Sequence, residues 1–94
     1  MIIKGLEFDC TGGMCPEQYD VYDADGRQVG YVRLRWGRLV CFYPECLEEV
    51  IYETGIGGEY TGCFENDEQR MEHLCKIADK LLEKISERSQ LIDR

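Results

Sequence analysis

Apolar and polar positions alternate with a period of two along much of residues 1–64, and then with a helical period from 66 to 88. Alternation marks half-buried strands, and apolar recurrence at i, i+3 and i+4 marks an amphipathic helix. The strand-like runs are Ile2–Asp9, Gln18–Asp23 (QYDVYD), Gln28–Trp36 (QVGYVRLRW), Leu39–Tyr43 and Glu49–Thr54 (EVIYET), with Glu59–Phe64 as a short last candidate. Ala24-Asp25-Gly26-Arg27 sets Asp-Gly between two alternating runs, which is the strongest local hairpin signal because glycine takes a positive φ at no steric cost. Trp36-Gly37-Arg38 turns the chain again, and Pro44 ends the following strand by removing a ladder donor. Thr11–Met14 and the glycines at 55, 57 and 58 mark two further turns.

The helical segment opens at Asn66 or Asp67, either of which can cap it, and Asp67, Glu68 and Glu72 sit near its positive end. Met71, Leu74, Cys75, Ala78, Leu81, Leu82 and Ile85 form the apolar stripe, with Ile77 on its flank. Lys76, Lys80, Lys84 and Arg88 recur every four residues on the other side, and 89–94 reads as a tail. About two and a half heptads are too few to favour a coiled coil, so the helix is expected to pack on its own sheet. The predicted fold is α+β: one domain over 1–94, an antiparallel meander of four or five strands with one C-terminal amphipathic helix packed on one face.

Pairing Asp23 with Gln28 sorts the side chains. Tyr19 and Val21 then share a face with Gly30, Val32, Leu34 and Trp36, and with Leu39, Cys41 and Tyr43 on the next strand. That apolar face should take the helix. The opposite face collects Asp20, Tyr22, Val29, Tyr31, Arg33, Arg35, Arg38, Val40 and Phe42. One helix covers one face, so Tyr22, Tyr31, Arg33, Arg35 and Phe42 are candidates for a partner surface or a homodimer seam, being of the types enriched at interfaces. The competing reading is that arginine stems and tyrosine rings shield one another there, or that the first strand or the 45–60 loop covers them.

Charge adds a second candidate. The net charge is −8, yet residues 1–44 and 73–94 are nearly balanced. The stretch 45–72 carries Glu45, Glu48, Glu49, Glu53, Glu59, Glu65, Asp67, Glu68 and Glu72 against Arg70 alone. Such a field repels nucleic acid and membrane surfaces and attracts a basic protein partner, so direct nucleic-acid binding is not expected. Glu45 through Glu68 are the candidate acidic contacts, and solubility is the plainer use of the same residues. No apolar run approaches the ~18 residues of a membrane span, and the opening MIIKGLEFDC is too polar for a signal peptide. The expected location is the cytoplasm.

Six cysteines invite a metal or disulfide reading. Cys10/Cys15 and Cys41/Cys46 formally make two clamps for zinc, though four intervening residues is the loose end of the spacing range, and Cys41 falls mid-strand on the predicted core face. A reducing cytoplasm argues against structural disulfides, so Cys63 and Cys75 are expected as core thiols. No cofactor is implied. A single histidine, His73, and no cysteine beside a visible base argue against catalysis. Gly55, Gly57 and Gly58 lack the lysine of a phosphate loop, and no acid spacing matches a calcium loop.

The stretch PEQYDVYDADGRQVGYVRLRWGRLVCFYP (16–44), continuing through Thr61-Gly62-Cys63-Phe64 to Glu68-Gln69-Arg70, resembles a group of small proteins from phages and prophages of Gram-positive bacteria. The resemblance covers roughly three quarters of the chain and brings no catalytic residues. It implies a mobile-element origin and action inside a bacterial host cell, with inhibition of a host defence nuclease as the expected role. The expectation is thus a non-enzymatic, nucleic-acid-mimicking binding protein directed at a host protein with a basic surface. The alternative is a small structural or zinc-stabilised accessory module.

Overall fold

The structure, a computed structural model, describes residues 1–11, 16–45 and 48–92, with side chains through 87. Six strands are present: β1 (Ile2–Ile3), β2 (Leu6–Cys10), β3 (Glu17–Tyr22), β4 (Gln28–Arg35), β5 (Arg38–Tyr43) and β6 (Glu49–Gly55). They form one antiparallel meander in sequence order, and a single helix, α1 (Asp67–Ile92), packs against it. The α+β fold expected from the residue pattern is therefore present, with six strands rather than four or five. The helix runs past its expected end at 88 into the segment read as a tail.

The extra strand comes from the first run, which folds back on itself. Ile2 pairs with Glu7 and Ile3 with Leu6, leaving a two-residue loop of Lys4 (φ 54°) and Gly5 (φ 87°). Positive φ at both positions is the turn whose twist matches the flanking strands. The run Glu59–Phe64 is not a strand. It lies as a loop against the β4–β5 turn, where the Gly37 amide donates to the Thr61 carbonyl at 2.8 Å and the Ile56 amide to the Gly37 carbonyl at 2.8 Å.

The Asp-Gly hairpin forms one residue off the expected pairing. Asp23 donates its amide to the Arg27 carbonyl at 2.9 Å, and its Oδ1 accepts from the Asp25 and Arg27 amides. Tyr22 consequently faces Gln28, and a bulge at Val21/Tyr22 absorbs the slip, so that Val21 still faces Gly30 and Tyr19 faces Val32. The bulge moves Val29 into the core, where it is 7% exposed, instead of onto the opposite face. Trp36 also departs from expectation: it sits in the two-residue turn between Arg35 and Arg38 and is 63% exposed.

The core lies between sheet and helix. Phe8, Val21, Val32, Leu34, Leu39 and Cys41 meet Leu74, Ile77, Ala78 and Leu81, all but fully buried. The helix thus centres its buried stripe on Ile77, which the periodicity places on the flank, while Met71 and Leu82 are turned out. Gly30 lets the two layers approach, since a β-carbon there would stand 3.0 Å from both Leu81 methyls. Ion pairs tie α1 to both ends of the meander, Lys4 to Asp79 at 2.6 Å and Lys84 to Glu49 at 2.8 Å, so the sheet curls around the helix.

Candidate functional site

The face turned away from α1 is built by β4 and β5, whose pairing sets Tyr31 opposite Phe42 and Arg33 opposite Val40. Tyr31 stacks on Phe42 with centroids 6.2 Å apart, and the Arg33 guanidinium lies 5.6 Å above the same ring. These side chains cover what lies beneath: Val40 and Phe42 are only 8% and 7% exposed. The mutual shielding weighed from the sequence is therefore real, and Phe42 acts as a floor. Of the five candidate residues, Tyr22, Tyr31 and Arg33 are half-buried and Arg35 is exposed, so these four remain accessible beside Asp20 and Arg38. Arg38 is ion-paired with Glu53 of β6, whereas Arg35 has no acidic partner among the described residues. A shallow concavity of about 250 Å³ opens between Arg33, Arg35, Trp36, Val50 and Glu53.

Sequence reasoning missed the feature at the rim of this concavity. Trp36 adopts φ 56° and stands edge-on to Tyr60, which is 81% exposed, with centroids 6.3 Å apart. A left-handed conformation costs a bulky residue about 1–2 kcal/mol, and positions of this kind usually carry glycine or asparagine. A tryptophan retained there and largely exposed is a candidate interface anchor. The visible signal was Trp-Gly in the turn, since a two-residue loop must expose its first side chain.

All nine acids of 45–72 are exposed. The fold divides them. Glu49, Glu53, Asp67 and Glu72 are ion-paired with Lys84, Arg38, Arg70 and Lys76 of the same chain. The pair with Glu49 holds the Lys84 ammonium above its ordinary value. Glu45, Glu48, Glu59, Glu65 and Glu68 meet no base among the described residues. Glu45 and Glu48 lie before β6, and Glu59, Glu65 and Glu68 beyond it, so the unpaired acids bracket a strand about 23 Å long at ~3.3 Å per residue.

Two polar clusters lie apart from these surfaces. Glu17 is 5% exposed and accepts from Tyr19 Oη at 2.7 Å, the Phe64 amide at 2.9 Å, and Arg70 Nε and Nη2 at 2.9 and 2.8 Å. Burial alone would push its carboxyl up, but the bonds from Arg70, Phe64 and Tyr19 outweigh that and hold it below the usual range. Every lone pair in reach is engaged, which fits a structural role. His73 accepts from or donates to Tyr52 Oη through Nδ1 at 2.9 Å and stacks on Phe64 at 6.0 Å.

The cysteines scatter. Cys41 is fully buried under the helix, and burial pushes its thiol up to about 12, so it cannot join a surface metal site with Cys10, which is exposed at the end of β2. Cys15 and Cys46, the other proposed zinc ligands, lie outside the described residues. Cys75 is half-buried against the core as expected, but Cys63 is disulfide-bonded rather than a core thiol. No helix is long and apolar enough to cross a membrane among the described residues.

Compared with models of known protein families, with characterised proteins and with solved structures, the chain matches none.

Proposed function

We propose that this chain is a non-enzymatic binding protein whose exposed carboxylates engage a basic groove on a partner protein, taking the places that nucleic-acid phosphates would occupy. The observation that carries this reading is the bracketing of β6 by Glu45, Glu48, Glu59, Glu65 and Glu68, five exposed acids without bases of their own among the described residues. Internally paired acids add little field, because each cancels at short range. The unpaired five are the largest concentrated part of the net charge of −8. Trp36 and Tyr60 stand close to Glu59 and add the apolar anchor that such interfaces need. The resemblance to phage and prophage proteins makes a host defence nuclease the partner to seek.

A second reading, an accessory module whose acidity serves solubility, draws on the four acids that are ion-paired within the chain. One experiment separates the two. Immobilised wild type is exposed to bacterial lysate beside the variant Glu48→Lys/Glu59→Lys/Glu65→Lys, and bound proteins are challenged with duplex DNA. The mimic predicts capture of nucleic-acid-binding proteins, their release by DNA, and loss of capture in the variant. Capture indifferent to both DNA and charge reversal contradicts it and leaves the module reading.

A further inference from the structure

We propose that β6 is a docking edge, to which an extended segment of the partner protein adds as a further antiparallel or parallel strand. The inference rests on the binding role proposed above and specifies how the partner is held. β6 ends the sheet, and no strand lies on its outer side among the described residues. An unpaired edge is a row of N–H and C=O groups ready to pair, which folds normally blunt with short strands, charged side chains (lysine above all), proline or bulges. The opposite edge follows that practice: β1 has two residues and Lys4 beside it. β6 is longer, at seven residues, EVIYETG, and has two glutamates and one bulge at Ile51 but neither lysine nor proline.

The surroundings of β6 match an added strand. Side chains of a strand project alternately to the two sides of the sheet. Two concavities flank β6, one on each side: about 250 Å³ on the open face and about 310 Å³ against α1. Val50 lines both and is 49% exposed, because the bulge that turns Ile51 toward the core leaves its neighbour at the rim.

The two concavities differ in charge, which gives the incoming strand its chemistry. Arg33, Arg35 and Arg38 outnumber Glu53 on the open face, while Glu49, Glu83 and Glu87 outnumber Lys80 and Lys84 against the helix. The segment that fits alternates: lysine or arginine toward α1, and glutamate or tyrosine toward the arginines. A second copy of β6 fits poorly. Antiparallel pairing would bring Glu45 and Glu48 of one copy to Glu59 and Glu65 of the other, acid against acid.

The test uses a synthetic peptide of about seven residues alternating Lys with Glu or Tyr, titrated into the whole chain. Trp36, the single tryptophan, reports binding by fluorescence, and amide hydrogen exchange reports on β6. Controls are a block peptide of the same composition and peptides N-methylated at alternate positions, in each of the two phases. Strand addition predicts slowed exchange at alternate β6 amides, with the block peptide and the one N-methylation phase whose N–H groups face β6 binding at least about tenfold more weakly, and the other phase binding like the parent. Equal binding of the block peptide, or of the peptides in both N-methylation phases, overturns it, as does no binding of any peptide. Protection of β6 that grows with protein concentration alone also overturns it and makes a second copy the occupant. The acidic-surface reading fails separately, through the charge-reversal variant, whatever these peptides do.

Discussion

Arg70 of α1 grips Glu17 of β3 with two hydrogen bonds of 2.8 and 2.9 Å, joining residues 53 positions apart and closing the helix onto the sheet. Glu17 is 5% exposed, so the guanidinium is what makes a carboxylate tolerable there. Because the folded carboxyl is held below its ordinary 4.5, its contribution is present above that pH and is lost as pH falls through the lower folded value. Arg70→Met should therefore cost about 2–4 kcal/mol at neutral pH, and less in acid, where Glu17 protonates. Urea unfolding at both pH values checks the magnitude and its sign.

Gly30 sits beneath Leu81, whose two methyls would stand 3.0 Å from a β-carbon there, closer than ordinary van der Waals contact. Leu81 is fully buried and would have to shift against its packed neighbours, so Gly30→Ala should destabilise by about 1–3 kcal/mol. Leu81→Ala opens a cavity and should cost about 2–5 kcal/mol. In the double variant the new methyl enters that cavity. A denaturation cycle should therefore show a combined loss well below the sum of the two.

Trp36 holds a conformation that asparagine adopts more readily, and it contributes little burial. Trp36→Asn should leave stability unchanged or raise it by about 0.5–1 kcal/mol. The same change should weaken capture of the partner. Thermal melts and capture measured on one preparation test both halves, and lowered stability would mean that the indole serves packing instead.

Cys41 is enclosed by the core with its thiol pushed up to about 12. It should resist alkylation at neutral pH in the folded chain and react only on unfolding. Peptide mapping after timed labelling would show this, and the same digest without reduction would identify the partner of the Cys63 disulfide.

What could be read before the structure depended on how local each cause was. The Asp-Gly turn and the alternation of QYDVYD with QVGYVRLRW are local, and the bulge at Val21/Tyr22 confines the one-residue slip to the hairpin end, so the facing of Tyr19, Val21 and Val32 follows the alternation. Val29 and Trp36 fall outside it because both lie where the ladder is broken. Gly5 hid a turn inside a run that otherwise alternates. Ile77 lies at the centre of the buried stripe because the sheet curls around α1, which period alone cannot reveal. Exposure of the acids was legible, since carboxylates rarely leave water. Which of them are cancelled was not: Glu53 meets Arg38, and Glu49 meets Lys84, only through the pairing of β5 with β6 and the docking of α1.

Binding of a captured partner to wild type and to Glu48→Lys/Glu59→Lys/Glu65→Lys, each at low and high salt, bears most directly on the acidic surface. Both proteins must first show the same unfolding curve. Tight binding by wild type that weakens steeply with salt, and at least about tenfold loss in the variant at low salt, is the predicted result. Equal affinity of the two proteins, with little dependence on salt, would contradict it.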